Sequence, residues 1–219
     1  MGLAPRKSET LEGHREVNSK IFLRTKLLIY YKYMQNCLFK EDTELFFKLH
    51  PALLQYVNCC LKIFPKIKTA EALRNSGPKN VARVRAKLLE RFDFIDEFIS
   101  ENPDGFSKEE CNIIMSWKHA VRGRFYILKH LKKYSIFLTE NEPTIAYGVH
   151  SLYTPLDEMF WNIPVYVEAL LLPFRDCIIY DGILYPFSVT FGRGFHFGLD
   201  EAYSESKKKF GIVEKIAYS

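Results

Sequence analysis

From residue 42 onward the apolar side chains recur at helical spacing. Leu45, Leu49, Leu53, Val57 and Leu61 lie four apart, and Phe46, Tyr56 and Cys60 widen the stripe into an amphipathic helix. Asp42 is suited to cap the first turn, and Glu44 complements the positive end of the dipole. Pro51 lacks a backbone donor, which predicts a kink or break near His50. After a turn at Gly77-Pro78, a second stripe runs through Val81, Val84, Leu88, Phe92, Ile95 and Ile99, with Arg83, Arg85, Lys87 and Arg91 mostly off it. Asn102-Pro103 and Asp104-Gly105 end that stripe. Ser107 and Glu110 then form a capping box for a helix through Ile113, Ile114, Trp117 and Val121, closed at Arg122-Gly123.

Beyond Gly123 the period shortens to two. "RFYILKHL", "YSIFLTE", "TIAYGVHS", "VYVEALLLP", "CIIYDGI" and "PFSVTFG" are short, β-branched and aromatic, and are separated by turn residues. Thr154 and Pro155 start a short helix in "TPLDEMFW", and "LDEAYSESKKKFG" reads as a final helix with an acidic start and a basic end. Asp181-Gly182, between two apolar runs, predicts a hairpin with a type I′ turn. The expected class is α+β: a helical N-terminal half packed beside a curved antiparallel sheet of about five or six strands, with a C-terminal helix. Residues 1–40 form a tail and arm, 41–122 a helical region and 123–219 a β region with covering helices, with 41–219 one integrated unit.

Charge adds a polarity to this picture. Residues 1–70 hold 12 Lys/Arg against 6 Asp/Glu, 71–140 hold 13 against 10, and 141–219 hold 6 against 10. The basic first half can attract an anionic partner such as nucleic acid. The segment "KIFLRTKLLIYYKYMQN", with Lys20, Arg24, Lys26 and Lys32 among Ile21, Leu28 and Tyr31, reads as an ordered arm that either packs or offers a basic aromatic surface. Cys37, Cys59, Cys60, Cys111 and Cys177 lack metal or redox spacing, so reduced, buried thiols are expected. The start has no apolar signal core and departs from the myristoylation pattern at Arg6. No uncharged apolar run reaches the roughly 18 residues that span a bilayer. Together these point to a cytoplasmic protein with no membrane association.

The candidate chemistry is sparse. Lys129, Lys132, Lys133 and Tyr134 make a basic turn that could contact a nucleic-acid backbone or simply protect a sheet edge. Gly192, Gly194 and Gly198 give GxGxxxG, which is not a phosphate loop, and Asp200 and Glu201 at the next helix start would repel an anion; a bulge or tight bend is the expectation there. Arg193 and His196 are the exposed polar candidates of that stretch. The six histidines form no chelating pair, so neither metal nor cofactor is expected. Asp93, Asp96 and Glu97 share a helix surface but read as solvated.

These features favour a non-catalytic binding or regulatory module, with a protein partner, a second copy or nucleic acid docking near Lys132, Lys133, Tyr180, Arg193 and His196. The alternative is a hydrolase-like enzyme whose non-local site gathers Asp181, Arg193 and His196, with His150 and Glu168 as further candidates.

The segments "FIDEFISENPDGFSKEECNIIMSWKHAVRGRFYILKHLKKYSIFL", "AYGV", "LLPFRDCIIYDGIL" and "FGRGF" also resemble, in order over residues 44–214, a group of bacterial and archaeal proteins of unknown function. That resemblance implies a prokaryotic unit without the first forty residues and carries over no activity or site residue. "ERFDF" stands where the group has a proline-marked break.

Overall fold

Helix α1 (Lys40–Leu61) buries the stripe that the spacing marks: Phe46, Leu49, Leu53, Leu54 and Val57 are all sealed from solvent. It runs unbroken through Pro51, against the expected break near His50. An interior proline costs about 3 kcal/mol, whereas each fully buried leucine contributes roughly 1.5–3 kcal/mol; with Leu49, Leu53 and Leu54 on either side of Pro51, burial wins. The helix starts two residues before Asp42, which sits in the first turn and pairs with Arg175 instead of capping. The Thr43 hydroxyl donates toward the Phe39 carbonyl at 3.1 Å and the Leu152 carbonyl at 3.3 Å, so it ties this end to the β region.

The computed structural model describes residues 37–217, and the basic aromatic segment and polar tail before them lie outside that range. A short helix α2 (Ala70–Asn75) is capped by the Thr69 side chain. The stripe from Val81 to Ile99 is two helices, α3 (Pro78–Glu90) and α4 (Asp93–Glu101), broken at Arg91-Phe92. The expected capping box of Ser107 and Glu110 opens α5 (Lys108–Ser116). One 3-10 turn through Trp117 follows, and the first strand begins at Val121, so Arg122-Gly123 is strand and not a helix end.

Strands β1 (Val121–His130), β2 (Ser135–Thr139), β3 (Ala146–His150), β4 (Val165–Phe174) and β5 (Cys177–Pro186) close into a barrel in the order β1-β2-β3-β5-β4. The described residues are thus α+β, with seven α-helices, five strands and a C-terminal helix. The sheet is mixed, because β3 and β5 pair in parallel at Val149 with Ile178 and His150 with Ile179. The chain leaves β3 through helix α6 (Leu156–Met159), and the β4–β5 hairpin then lays its second strand beside β3. "PFSVTFG" adds no sixth strand. Helix α7 (Arg193–Phe210) begins six residues before the expected Leu199.

Two apolar clusters result. The larger joins α1, α3, α4 and α5 to the barrel lining, with Phe125, Phe137, Val167 and Ile179 among its buried members. The smaller sits under α7, where Leu199 and Tyr203 meet Leu128, Ile136 and Leu138. All five cysteines are free thiols, but Cys59 and Cys60 are exposed, which corrects the expectation that they are buried. Among the described residues no helix is long and apolar enough to cross a membrane.

Candidate functional site

Asp181-Gly182 does not turn a hairpin. The chain reverses at Arg175-Asp176, where Phe174 faces Cys177 and Arg175 takes the left-handed conformation at φ 50°. Asp181 and Gly182 lie inside β5 at a bulge: Leu171 faces Tyr180 while Ala169 faces Leu184, four steps along β5 against two along β4. A bulge of this kind needs a residue tolerant of positive φ, and Gly182 supplies it at 87°. What the bulge does is aim the Asp181 carboxylate at the helical layer.

There it meets Arg85 of α3. Nε lies 2.5 Å from Oδ2, and the two residues are 4% and 2% exposed. The N–H is poorly aligned with Oδ2, and Nη2 has no hydrogen-bond partner, so this is a close ion pair with donor capacity left over. The Ile183 amide donates to Oδ1 at 3.3 Å. Burial pushes the Asp181 carboxyl up to about 7, although Arg85 pulls the other way. Burial, reinforced by the Arg85 charge, pushes His50 of α1 down to about 3. The His50 ring stacks on Phe46 at 5.1 Å and meets Trp117 edge-on at 5.7 Å.

His50 and Asp181 line a cavity of about 230 Å³ between the helical layer and the β5 bulge. Its other walls are mainly apolar, among them Phe46, Leu54, Leu73, Val81 and Ile183, and the exposed Arg74 stands at its opening. Such an apolar recess with a few convergent polar groups and displaced titrations is the form that ligand sites take.

The two displaced titrations oppose each other in the pH dependence of stability. His50 is lowered from its ordinary 6.5, so its contribution is complete above that value and is lost as pH falls toward about 3. Asp181 is raised from its ordinary 3.8, so its contribution is complete below that value and is lost as pH rises through about 7. His50→Phe removes the first term alone. In urea titrations the variant is expected to gain on the parent protein as pH falls below 6.5, by up to about 1.4 kcal/mol per pH unit. A difference that stays constant from pH 7 to 4 would show that His50 is not held neutral.

The remaining candidates are dispersed. Lys129 sits 2.9 Å from Asp200 and 4.8 Å over the Tyr203 ring. Lys133 and the Tyr134 hydroxyl both donate to Glu214, at 2.5 Å and 3.0 Å, and Lys132 in the same turn is also engaged. The buried Tyr134 ring packs on Gly148, where an added Cβ would approach it to 3.0 Å. Tyr180 is buried, with its hydroxyl 3.8 Å from the Met159 sulfur. Arg193 and His196 are exposed in the first turns of α7, and that helix has no acidic residue in its first turn, contrary to the expected start at Asp200 and Glu201. His150 meets Tyr134 edge-on, and Glu168 pairs with Arg122 at 3.2 Å. Neither they nor Arg193 and His196 line the Asp181 cavity. Asp96 and Glu97 pair with Lys118 and Arg91. Among the described residues no group of three or more His, Cys, Asp or Glu could hold a metal ion.

A second feature occupies the outside of the barrel. Tyr126 of β1 stacks on Tyr166 of β4 at 4.8 Å, Phe187 packs on Tyr166 at 4.9 Å, and Phe191 stacks on Phe195 at 4.6 Å with Tyr126 edge-on to both. Arg124 lies 5.4 Å over Phe187. Phe187 and Phe195 are 37% and 42% exposed, so the surface is open as well as aromatic.

His50 and Arg85 are the site residues that the sequence reading passed over. Both had a signal, since Phe46, Leu49, His50 and Leu53 share one helix face, as do Val81, Val84, Arg85 and Leu88. A polar residue on a buried face needs a partner. Comparison with family models, curated proteins and solved structures gives no match.

Proposed function

We propose that the protein is a non-catalytic binding module whose recognition surface is the aromatic face of Tyr126, Tyr166, Phe187 and Phe195, and that its partner is a second copy of this chain. The exposure of Phe187 and Phe195 beside rings already packed in place carries this reading. Pre-ordered aromatic side chains flanked by arginines are the usual anchors of protein interfaces. The surface offers both guanidinium groups and open ring faces, so it can complement itself across a two-fold axis. Charge does not oppose that contact. The first 35 residues hold seven Lys/Arg and three Asp/Glu, which leaves 24 against 23 in the remainder. The same near-neutrality leaves residues 36–219 with little net charge to attract a polyanion.

Sedimentation velocity over a hundredfold concentration range tests the proposal. The chain is expected to dimerise, and Phe195→Ser or Phe187→Ser to weaken the dimer by about 2 kcal/mol, roughly thirtyfold. A monomer at every concentration overturns it. A monomer that binds a single-stranded oligonucleotide with a steep salt dependence overturns it in favour of nucleic acid.

A further inference from the structure

The cavity beside the Arg85–Asp181 pair shares no residue with the aromatic docking face, and its chemistry points to a different occupant. Its size sets the first limit. An apolar cavity of about 150 Å³ accepts benzene, so about 230 Å³ admits one ring with a short substituent. Its walls set the second: Phe46, Phe47, Leu54, Leu73, Val81 and Ile183 offer apolar surface, with phenyl rings available for edge-to-face packing.

Its polar groups set the third. His50 is 6% exposed and lines the cavity, and no hydrogen bond to its ring nitrogens is found among the described residues. A neutral imidazole presents one donor and one acceptor, and a ligand hydroxyl in the recess can meet either. Arg85 and Asp181 cancel each other's charge, although Arg85 Nη2 keeps an unmet donor. A charged ligand would therefore bring an uncompensated charge into the interior, whereas a hydroxyl would satisfy His50 without one. Arg74 does not alter this balance, since it is exposed and remains solvated.

We propose that this cavity is a binding site for an uncharged, single-ring aromatic compound bearing a hydroxyl group, held by apolar packing against Phe46, Leu54, Leu73 and Val81 and by a hydrogen bond to His50. The simplest occupants are phenols. Hydrophobic burial supplies most of the affinity, and His50 supplies the preference for a hydroxyl over the bare ring.

Four probes of similar size test it at pH 8: p-cresol, toluene, benzoate and benzylamine, titrated into the full chain and followed by the methyl resonances of Leu54, Leu73 and Val81. p-Cresol is expected to shift those methyls and to bind about tenfold more tightly than toluene, the preference one well-made hydrogen bond gives. Benzoate and benzylamine are expected to leave them in place. His50→Leu should bring p-cresol down to the affinity of toluene without changing toluene itself, and Val81→Trp should abolish both by filling the space. Toluene binding as tightly as p-cresol overturns the proposal, as does equal binding of either ion or p-cresol shifts confined to other parts of the chain. No binding by any probe overturns it too. Should His50→Leu fail to fold, the ranking of the four probes on the unaltered chain still decides. The monomer–dimer equilibrium is measured separately, so failure here leaves the docking surface standing, and the reverse.

Discussion

Arg85→Met is expected to destabilise the protein by about 3–5 kcal/mol in urea unfolding at pH 8, because it leaves the Asp181 carboxylate buried with no counter-charge. Asp181 is 2% exposed, and among the described residues its other polar contacts are the backbone amides of Ile183, at 3.3 Å, and of Asp181 itself, too little to hold an ionised group in the interior. Methionine approximates the volume of the arginine stem, so the loss reports charge more than packing. The cost should also depend on pH. Without Arg85 the carboxyl is raised further, and a raised acid contributes fully at low pH and loses that contribution as pH rises, so the variant should suffer less at pH 5 than at pH 8. Arg85→Met combined with Asp181→Leu should recover most of the loss, since a buried pair replaced by apolar residues is often neutral or better. A single variant within about 0.5 kcal/mol of the parent would mean that water reaches the pair.

That pair also shows where the sequence was readable and where it was not. The helical stripes, the capping box at Ser107 and the change of period close to Gly123 all follow from local spacing, and each is found. Local spacing misplaces Asp181-Gly182 because the same two residues suit a turn and a bulge equally; what decides is the pairing partner, and β4 reverses six residues earlier at Arg175-Asp176. Arg175 tolerates that position because it is anchored by Asp42 and Glu109, contacts made by residues far away in sequence. The parallel pairing of β3 with β5 was unreadable for the same reason. It arises from barrel closure, which no short window contains. The glycines near Arg193 suggested a bend, yet α7 starts there, its later turns held by the burial of Leu199 and Tyr203. The cavity could be inferred only by taking polar residues on buried faces, His50 and Arg85, as seriously as the exposed candidates.

Phe46→Ala is the second large effect, expected at about 3–5 kcal/mol. Phe46 is 1% exposed and stands where three layers meet: stacked on His50 within α1, edge-on to Trp117 at 6.2 Å and edge-on to Phe174 of β4 at 6.3 Å. Truncation removes those contacts and merges the void with the existing cavity, and the surrounding helices can collapse only partly because Leu49, Leu53 and Ile114 already fill the adjoining space. At about 2–4 °C per kcal/mol for a domain of this size, the melting temperature should fall by roughly 10 °C. Phe195→Ser deletes the same ring from a half-exposed position and should cost monomer stability about 1 kcal/mol, through the lost contacts with Phe191 and Tyr126. The contrast separates the two roles of aromatic residues in this chain. If Phe46→Ala proved mild, the helical layer would not be locked to the barrel through this ring, and the cavity beside it would lose its fixed walls. If Phe195→Ser proved severe, the outer rings would belong to the packed core, and the surface assigned to partner docking would be structural instead.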